Sequence, residues 1–486
     1  MKIIFISTIA LLSVAGVAYF YNYEKSGNTL HTVKLTEDGF APSAITIAKG
    51  DTVVFTTTRN KPFWPASDLH PTHGIYSEFD PKQPIEANQS WSFRFDKTGE
   101  WRFHDHLAPL FRGTVRVQDS HLRVSVINIG RTFQECMEYK DENSKVQCWQ
   151  KALVQTLQQQ GIDAAFQMFG NFYDTNTAFR QNCHSFTHLL GQEAYQKFKE
   201  HGHVNISPKT SYCGYGFYHG FMEALIYNGT VAKAREFCIS VNQQLASQTN
   251  AWTPCLHGIG HGVTDASDST AWGNTQAMIQ PGLMICEKLG VDDYEKDLCA
   301  SGVFNSLANF YGNPTYHLSL DKQDPLAICR KQDQTYFKAA CYGEMNTLLM
   351  NLADGDFRRA ARFIETMSEY EYQARAIDSL ATHAVHFSLT KDQHDHDIQT
   401  CHVLLPQLRA PCIAGLGAGS MEFGTPEKEY IQALAVCDDS VVNLEERKAC
   451  FARVLWLTSL RYPAEQQTSI CASVAPPYRQ HCPVEL

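Results

Sequence analysis

All 16 cysteines of this 486-residue chain lie after residue 130, and they fall into sequential pairs. The pairs are Cys136/Cys148, Cys238/Cys255, Cys286/Cys299, Cys329/Cys341, Cys401/Cys412, Cys437/Cys450 and Cys471/Cys482, with Cys183/Cys213 spaced more widely. Most gaps run from 11 to 17 residues. In an oxidising compartment such spacing reads as a ladder of local disulfides. The rival reading is zinc binding, and the CxxC spacing that would favour it is absent.

The cysteines mark an internal repeat. The segments CGYGFYHGFMEAL, CLHGIGHGVTDAS, CASGVFNSLANFY, CYGEMNTLLMNLA and CIAGLGAGSMEFG begin at Cys213, Cys255, Cys299, Cys341 and Cys412. Successive spacings are 42, 44, 42 and 71, and the last leaves room for a cysteine-free repeat near Ala376 to Phe387. A period near 42 with helical patterning predicts stacked helical hairpins, an α-solenoid. One cysteine near the end of a helix and its partner opening the next would staple each hairpin turn. Closing such a loop contributes roughly 2 to 3 kcal/mol.

Three offsets from the cysteine recur. Gly216, Gly258, Gly302 and Gly415 lie three residues on. His219, His261, Asn305, Thr347 and Ala418 lie six on, and Glu223, Asp265, Asn309, Asn351 and Glu422 ten on. At about 100° per residue these offsets share one stripe of a helix. His219 with Glu223, and His261 with Asp265, are i,i+4 pairs in which imidazole can meet carboxylate. His184 and His188 form another i,i+4 pair, and His257 is nearby. Two readings stand. One is a metal or substrate site built from His184, His188, His219, His257, His261, Glu223 and Asp265. The other is structural, with glycines allowing close helix approach and His–acid pairs fixing register.

Residues from about 30 to 118 read as all-β. The runs HTVKL, AITIA, TVVFTTT, SWSFRF and TVRVQ are separated by turn-forming residues. GFAPSAITIAKGDTVVF at Gly39 to Phe55, WSFRFDKTGEWRFH and GTVRV resemble the cupredoxins, the plastocyanin and multicopper-oxidase group. The resemblance spans about 90 residues. It rests on a Phe-x-Pro strand, a Gly-Asp-Thr-Val turn and strand, and a glycine before a closing strand. It implies a Greek-key β-sandwich.

Within this segment LHPTHG at Leu69 to Gly74 and WRFHDHLAPLFRG at Trp101 to Gly113 carry His70, His73, His104 and His106. His104 and His106 alternate along a predicted strand and face the same side. Imidazole is the commonest protein ligand for copper and zinc. Blue copper sites in the family use a Cys, two His and usually a Met. Against that frame this chain has Asp105 for Cys, Ala108 for His and Phe111 for Met. Asn60-Lys61-Pro62 is followed by Phe63 and Trp64, so the first-loop His is also missing. HPTH and HDH instead resemble the HPxH and HCH motifs of multicopper oxidases, with the thiolate replaced. The resemblance implies four imidazole ligands, His70, His73, His104 and His106, and a type-2 copper or zinc centre. Asp105, a neighbour of both histidines, is expected to support or face solvent rather than ligate.

Residues 1–25 read as a signal anchor or signal peptide: Lys2, then an apolar run from Ile3 to Tyr21 with Tyr19, Phe20, Tyr21 and Tyr23 at its end. The expected layout is therefore 1–25 signal, 30–118 cupredoxin-like domain and 130–486 helical repeat. An uncleaved segment gives a membrane-anchored, extracytoplasmic protein, periplasmic or at the cell surface; cleavage gives a secreted one. A net charge of -10 without basic runs argues against nucleic-acid binding. HEXXH, GxSxG, P-loop and dinucleotide fingerprints are absent. The function expected is metal binding, copper preferred over zinc, with the helical surface as a second histidine site or a protein-docking surface. Two alternatives remain: a copper-dependent oxidoreductase with a type-2-like site that includes helical histidines, and a non-catalytic interaction scaffold.

Overall fold

The computed structural model of the chain describes residues 29–68, 73, 75–118, 133–173, 176–246, 248–264, 268–387 and 391–483. The chain divides into two compact units, 1–129 and 130–486. The expected signal segment, with its apolar run, lies outside the described residues. Among those described, no helix is long and apolar enough to cross a membrane.

Unit 1 is built from β1 (Leu30–Thr36), β2 (Gly39–Ala41), β3 (Ala44–Ala48), β4 (Thr52–Thr57), β5 (Pro65–Ser67), β6 (Ser90–Arg94), β7 (Gly99–Asp105) and β8 (Ala108–Gln118). They form two four-stranded sheets, ordered β2-β1-β4-β6 and β3-β8-β7-β5. The pairs β1/β4 and β3/β8 are parallel; the others are antiparallel. Alternating residues supply the core: Val33 and Leu35, Val53 and Phe55, Trp101 and Phe103 are all buried. Phe103 of one sheet meets Phe40 and Phe55 of the other edge-on, with ring centroids 4.8 and 5.2 Å away. Gly113 sits opposite Phe103 in the register, and a Cβ there would enter the Phe103 ring. The expected glycine ahead of a closing strand thus lies inside β8, which already begins at Ala108.

Unit 2 is helical. Among the described residues, nine helices pack in chain order, each on the next: α1 (Glu142–Gln160), α2 (Cys183–His201), α3 (Gly216–Asn228), α4 (Trp252–Val263), α5 (Asp293–Tyr311), α6 (Thr335–Glu344), α7 (Tyr370–Val385), α8 (Pro406–Phe423) and α9 (Leu444–Arg461). Further helices, among them Val231–Leu245, Thr275–Leu289 and Glu429–Cys437, flank this row. Helix α7 occupies the place the spacing left for a segment without cysteine. All 16 cysteines are bonded, in the eight sequential pairs. Cys238, Cys286 and Cys437 of flanking helices are tied to Cys255, Cys299 and Cys450 of α4, α5 and α9. Each bridge staples a flanking helix to the helix that follows it.

Glycines set how closely the row packs. A Cβ at Gly258 would press on the carbonyl oxygen of Tyr218 in α3; one at Gly302 would collide with that of His257 in α4. Gly216 and Gly415 stand in the same way against His184 and Asp378. The four glycines three residues past a cysteine therefore share one task, contact with the preceding helix. At the fifth such position the residue is Glu344, the last of α6. It reaches back to α5, where Asn305 Nδ2 donates to its Oε2 at 2.9 Å.

The row also returns to its own beginning. Asn250 N and Thr249 Oγ1 both donate to the Leu460 carbonyl, at 2.8 and 2.7 Å. Tyr173 Oη donates to Phe423 O at 2.5 Å, and Tyr212 Oη to Glu427 at 3.2 Å. The Arg461 guanidinium stacks on the Tyr215 ring. Partners separated by 210 to 250 residues are joined here, unlike a row in which units touch only their neighbours.

Two outcomes follow. Ala for Gly in a helix ordinarily stabilises by up to about 1 kcal/mol. Gly302→Ala should instead destabilise by about 2 kcal/mol because the methyl has no space; urea unfolding checks the sign. Burial pushes the Glu344 carboxyl up from 4.5 to about 8. Between those values the unfolded chain is ionised while the folded one keeps its proton, so stability falls as pH rises through that window. The melting temperature of the native chain should therefore drop relative to Glu344→Gln between pH 5 and pH 8; parallel pH profiles would contradict it.

Candidate metal centres

In unit 1, β7 ends in His104 and Asp105, and His106 opens the turn to β8. A register irregularity falls between His104 and Asp105. The simple alternation expected of HDH is therefore interrupted, yet both imidazoles turn to the same place. His106 N donates to Trp64 O at 2.7 Å, which ties the turn to the start of β5. The third imidazole, His73, sits on left-handed backbone with φ 52°, a conformation that costs a non-glycine residue energy and recurs at functional sites.

His73, His104 and His106 are all buried, and each offers a ligand nitrogen within 4.8 Å of the other two. Ring centroids lie 5.3 Å apart for His73–His104, 4.7 Å for His73–His106 and 6.2 Å for His104–His106. His73 Nε2 and His106 Nδ1 are 2.8 Å apart. Two nitrogens on a tetrahedral ion at about 2.0–2.1 Å would stand roughly 3.3 Å apart, so a small ring movement suffices to admit one. His70 lies outside the described residues.

Two carboxylates stand behind the triad. Asp68 Oδ1 is 2.9 Å from His104 Nδ1, and Asp80 Oδ2 is 2.6 Å from His73 Nδ1. An ionised carboxylate only accepts, so each Nδ1 donates and the Nε2 lone pair is presented. This is the carboxylate–histidine device found behind metal ligands. Burial opposes ionisation of Asp68, but Arg112, His104 and Arg102 outweigh it and hold the carboxyl far below its usual range. Burial likewise opposes Asp80, and His73 and Lys82 outweigh it. Burial drives His104 down to about 4 and His106 well below its ordinary value. Both are therefore neutral at pH 7, the form that binds metal.

Asp105 is fully buried, so the solvent-facing alternative does not hold for it. Its Oδ1 accepts from Trp64 N at 2.7 Å and Leu107 N at 3.3 Å, and Arg59 lies 3.5 Å from Oδ2. Asp105, which the sequence resemblance sets against the blue-copper thiolate, is here a carboxylate that braces the turn. Ala108 is buried, and Phe111 lies under the Arg59 guanidinium. Neither supplies a donor atom, so the residues do not fit blue copper.

In unit 2 the structure gathers His219 of α3 with His257 and His261 of α4, again with ligand nitrogens within 4.8 Å of one another. The His219 ring centroid is 4.3 Å from that of His261 and 4.9 Å from that of His257. His184 is adjacent, 5.0 Å from His219 between centroids, with its Nδ1 held by Cys213 O at 2.9 Å. The i,i+4 pairing expected for Glu223 is not the one formed. Glu223 Oε2 instead takes His188 Nε2 of α2, at 3.1 Å, because the tight α2–α3 contact makes a neighbouring helix nearer than the next turn. Asp265 lies outside the described residues.

The supporting groups were not read from the sequence. Asp68 lies two residues before the HPTH motif and Asp80 seven after His73, spacings that carry no helical or strand period. Ser301 and Ser306, which hold His257 and His261, come from the following segment CASGVFNS.

No model of a known protein family matches the chain, and no curated protein matches it. Solved structures similar to it include cupredoxins. A purple cupredoxin from Nitrosopumilus maritimus is 18% identical, with 18% of this chain and 99% of that one covered and a TM-score of 0.17. A reduced amicyanin variant is 20% identical over 19% of this chain and 87% of its own, TM-score 0.17. A mutant fern plastocyanin is 21% identical over 18% and 99%, TM-score 0.16.

Removing the charge behind His104 should weaken any ion the triad holds. Asp68→Asn is expected to lower metal affinity roughly 10- to 100-fold, measured by competition with a chromophoric chelator. Unchanged affinity would show that Asp68 only serves the fold.

Proposed function

We propose that the chain is an exported, membrane-anchored metal-binding protein whose unit 1 is a cupredoxin-like Greek-key sandwich that holds or hands over copper, in preference to zinc. The observation that carries this reading is the His73, His104 and His106 triad, buried and backed by Asp68 and Asp80. His70 is the fourth imidazole of the set. The preference for copper rests on the sequence resemblance to multicopper oxidases; the donor set alone suits zinc as well. With nitrogen donors and no thiolate, the centre is of the type-2 kind, suited to holding an ion rather than to rapid electron transfer. Unit 2, in this reading a stapled solenoid of hairpins whose last helices close back on the first, offers a surface for a protein partner. Sixteen cysteines all in disulfides favour an oxidising, extracytoplasmic setting.

The test is metal uptake by the purified protein with its disulfides intact. It should bind Cu(II) with a type-2 signature by electron paramagnetic resonance and show no intense thiolate-to-copper absorption. His104→Ala with His106→Ala should lower bound Cu(II) by one equivalent and remove the matching part of that signal. If the native chain takes up neither Cu(II) nor Zn(II), or the double variant keeps the same signal, the reading fails.

A further inference from the structure

The geometry points to a second metal site, in unit 2, formed by His219, His257 and His261 and suited to a first-row transition ion that accepts three nitrogen donors, Zn2+ or copper. It would bridge α3 and α4, beside the Cys238–Cys255 staple.

Four observations carry it. First, the three imidazoles come from two packed helices, and their ligand nitrogens lie within 4.8 Å of one another. His257 and His261, one turn apart on α4, provide two of the three donors from a single rigid helix. Second, the tautomer of His257 is set. Ser301 Oγ donates to Leu298 O at 2.7 Å, so its lone pair accepts from His257 Nδ1–H at 2.6 Å. The lone pair of His257 therefore sits on Nε2. Third, His261 is held by Ser306 Oγ at its Nδ1, 3.0 Å away, while its buried Nε2 has no hydrogen-bond partner. A buried ring nitrogen without a partner is costly unless something else satisfies it. Fourth, the nearest family of ion pairs does not consume the cluster. Glu223, the carboxylate one turn from His219, is engaged with His188.

The structural alternative is that the histidines only fix helix register. It explains the Ser301 and Ser306 contacts. It does not explain three imidazoles converging with an unpartnered nitrogen among them, where a hydroxyl or amide would register the helices equally well.

This inference stands apart from the reading of unit 1, and one experiment separates them. Full-length protein with intact disulfides is stripped with chelator and re-equilibrated with Zn2+ alone, and zinc per chain is counted by mass spectrometry. The native chain should hold two equivalents. His104→Ala with His106→Ala should hold one, and so should His257→Gln with His261→Gln; all four changes together should hold none. If unit 1 binds nothing, the native chain holds one equivalent and only the glutamine pair loses it, which still supports the second site. If the folded glutamine pair keeps the native content, or the His104/His106 variant binds no zinc, the second site is refuted. Circular dichroism of the stripped proteins shows whether each variant is folded. Should the glutamine pair not fold, zinc X-ray absorption on the His104/His106 variant decides. Three nitrogens at about 2.0–2.1 Å support the site; a shell without imidazole overturns it.

Discussion

Gly258 lies against the Tyr218 carbonyl and Gly302 against that of His257. Those contacts bring consecutive helices of unit 2 closer than any residue with a side chain would allow. Buried disulfides hold α4 and α5 as well, each tying a flanking helix to the next in the row. Close glycine contact and staple together limit how these helices can slide or turn. Two residues three positions beyond a glycine, His219 and His261, come to rest side by side. A third, Asn305, meets Glu344, which stands at the glycine position of its own segment. Where glycine gives way to Glu344, a carboxylate fills the position and is forced towards its neutral form.

The two imidazole triads show how one donor type can be prepared differently. Carboxylates stand behind His73 and His104 in unit 1. They hold each ring by its Nδ1 and bring negative charge to meet a cation. Hydroxyls stand behind His257 and His261 in unit 2. They set orientation without supplying charge. Burial keeps His104 and His106 in unit 1, and His257 and His261 in unit 2, in the neutral form that binds a metal.

What the sequence disclosed depended on whether a period carried it. The strand runs around Val53 and Phe55, the helix at α7 and the pairing of neighbouring cysteines all follow from spacing along one element. Residues that meet across elements carry no such period. Glu223 looked one turn back to His219 and found His188 on another helix. Asp68 and Asp80 stand in turns and loops, where spacing reports nothing about direction. His104 and His106 were legible as a pair, while the irregularity at Asp105 that actually aims them was not.

The contacts of Leu460 with Thr249 and Asn250 set a schedule for folding. The disulfides join residues 11 to 30 apart, so each staple can form soon after its own hairpin exists. Loops that short close quickly and at small entropic cost. The hydrogen bonds to Leu460 and Phe423 wait for partners more than 200 residues away. The early helices must therefore persist as an oxidised but unfinished row until α9 is made, with the surface later covered by α8 and α9 still exposed to other chains.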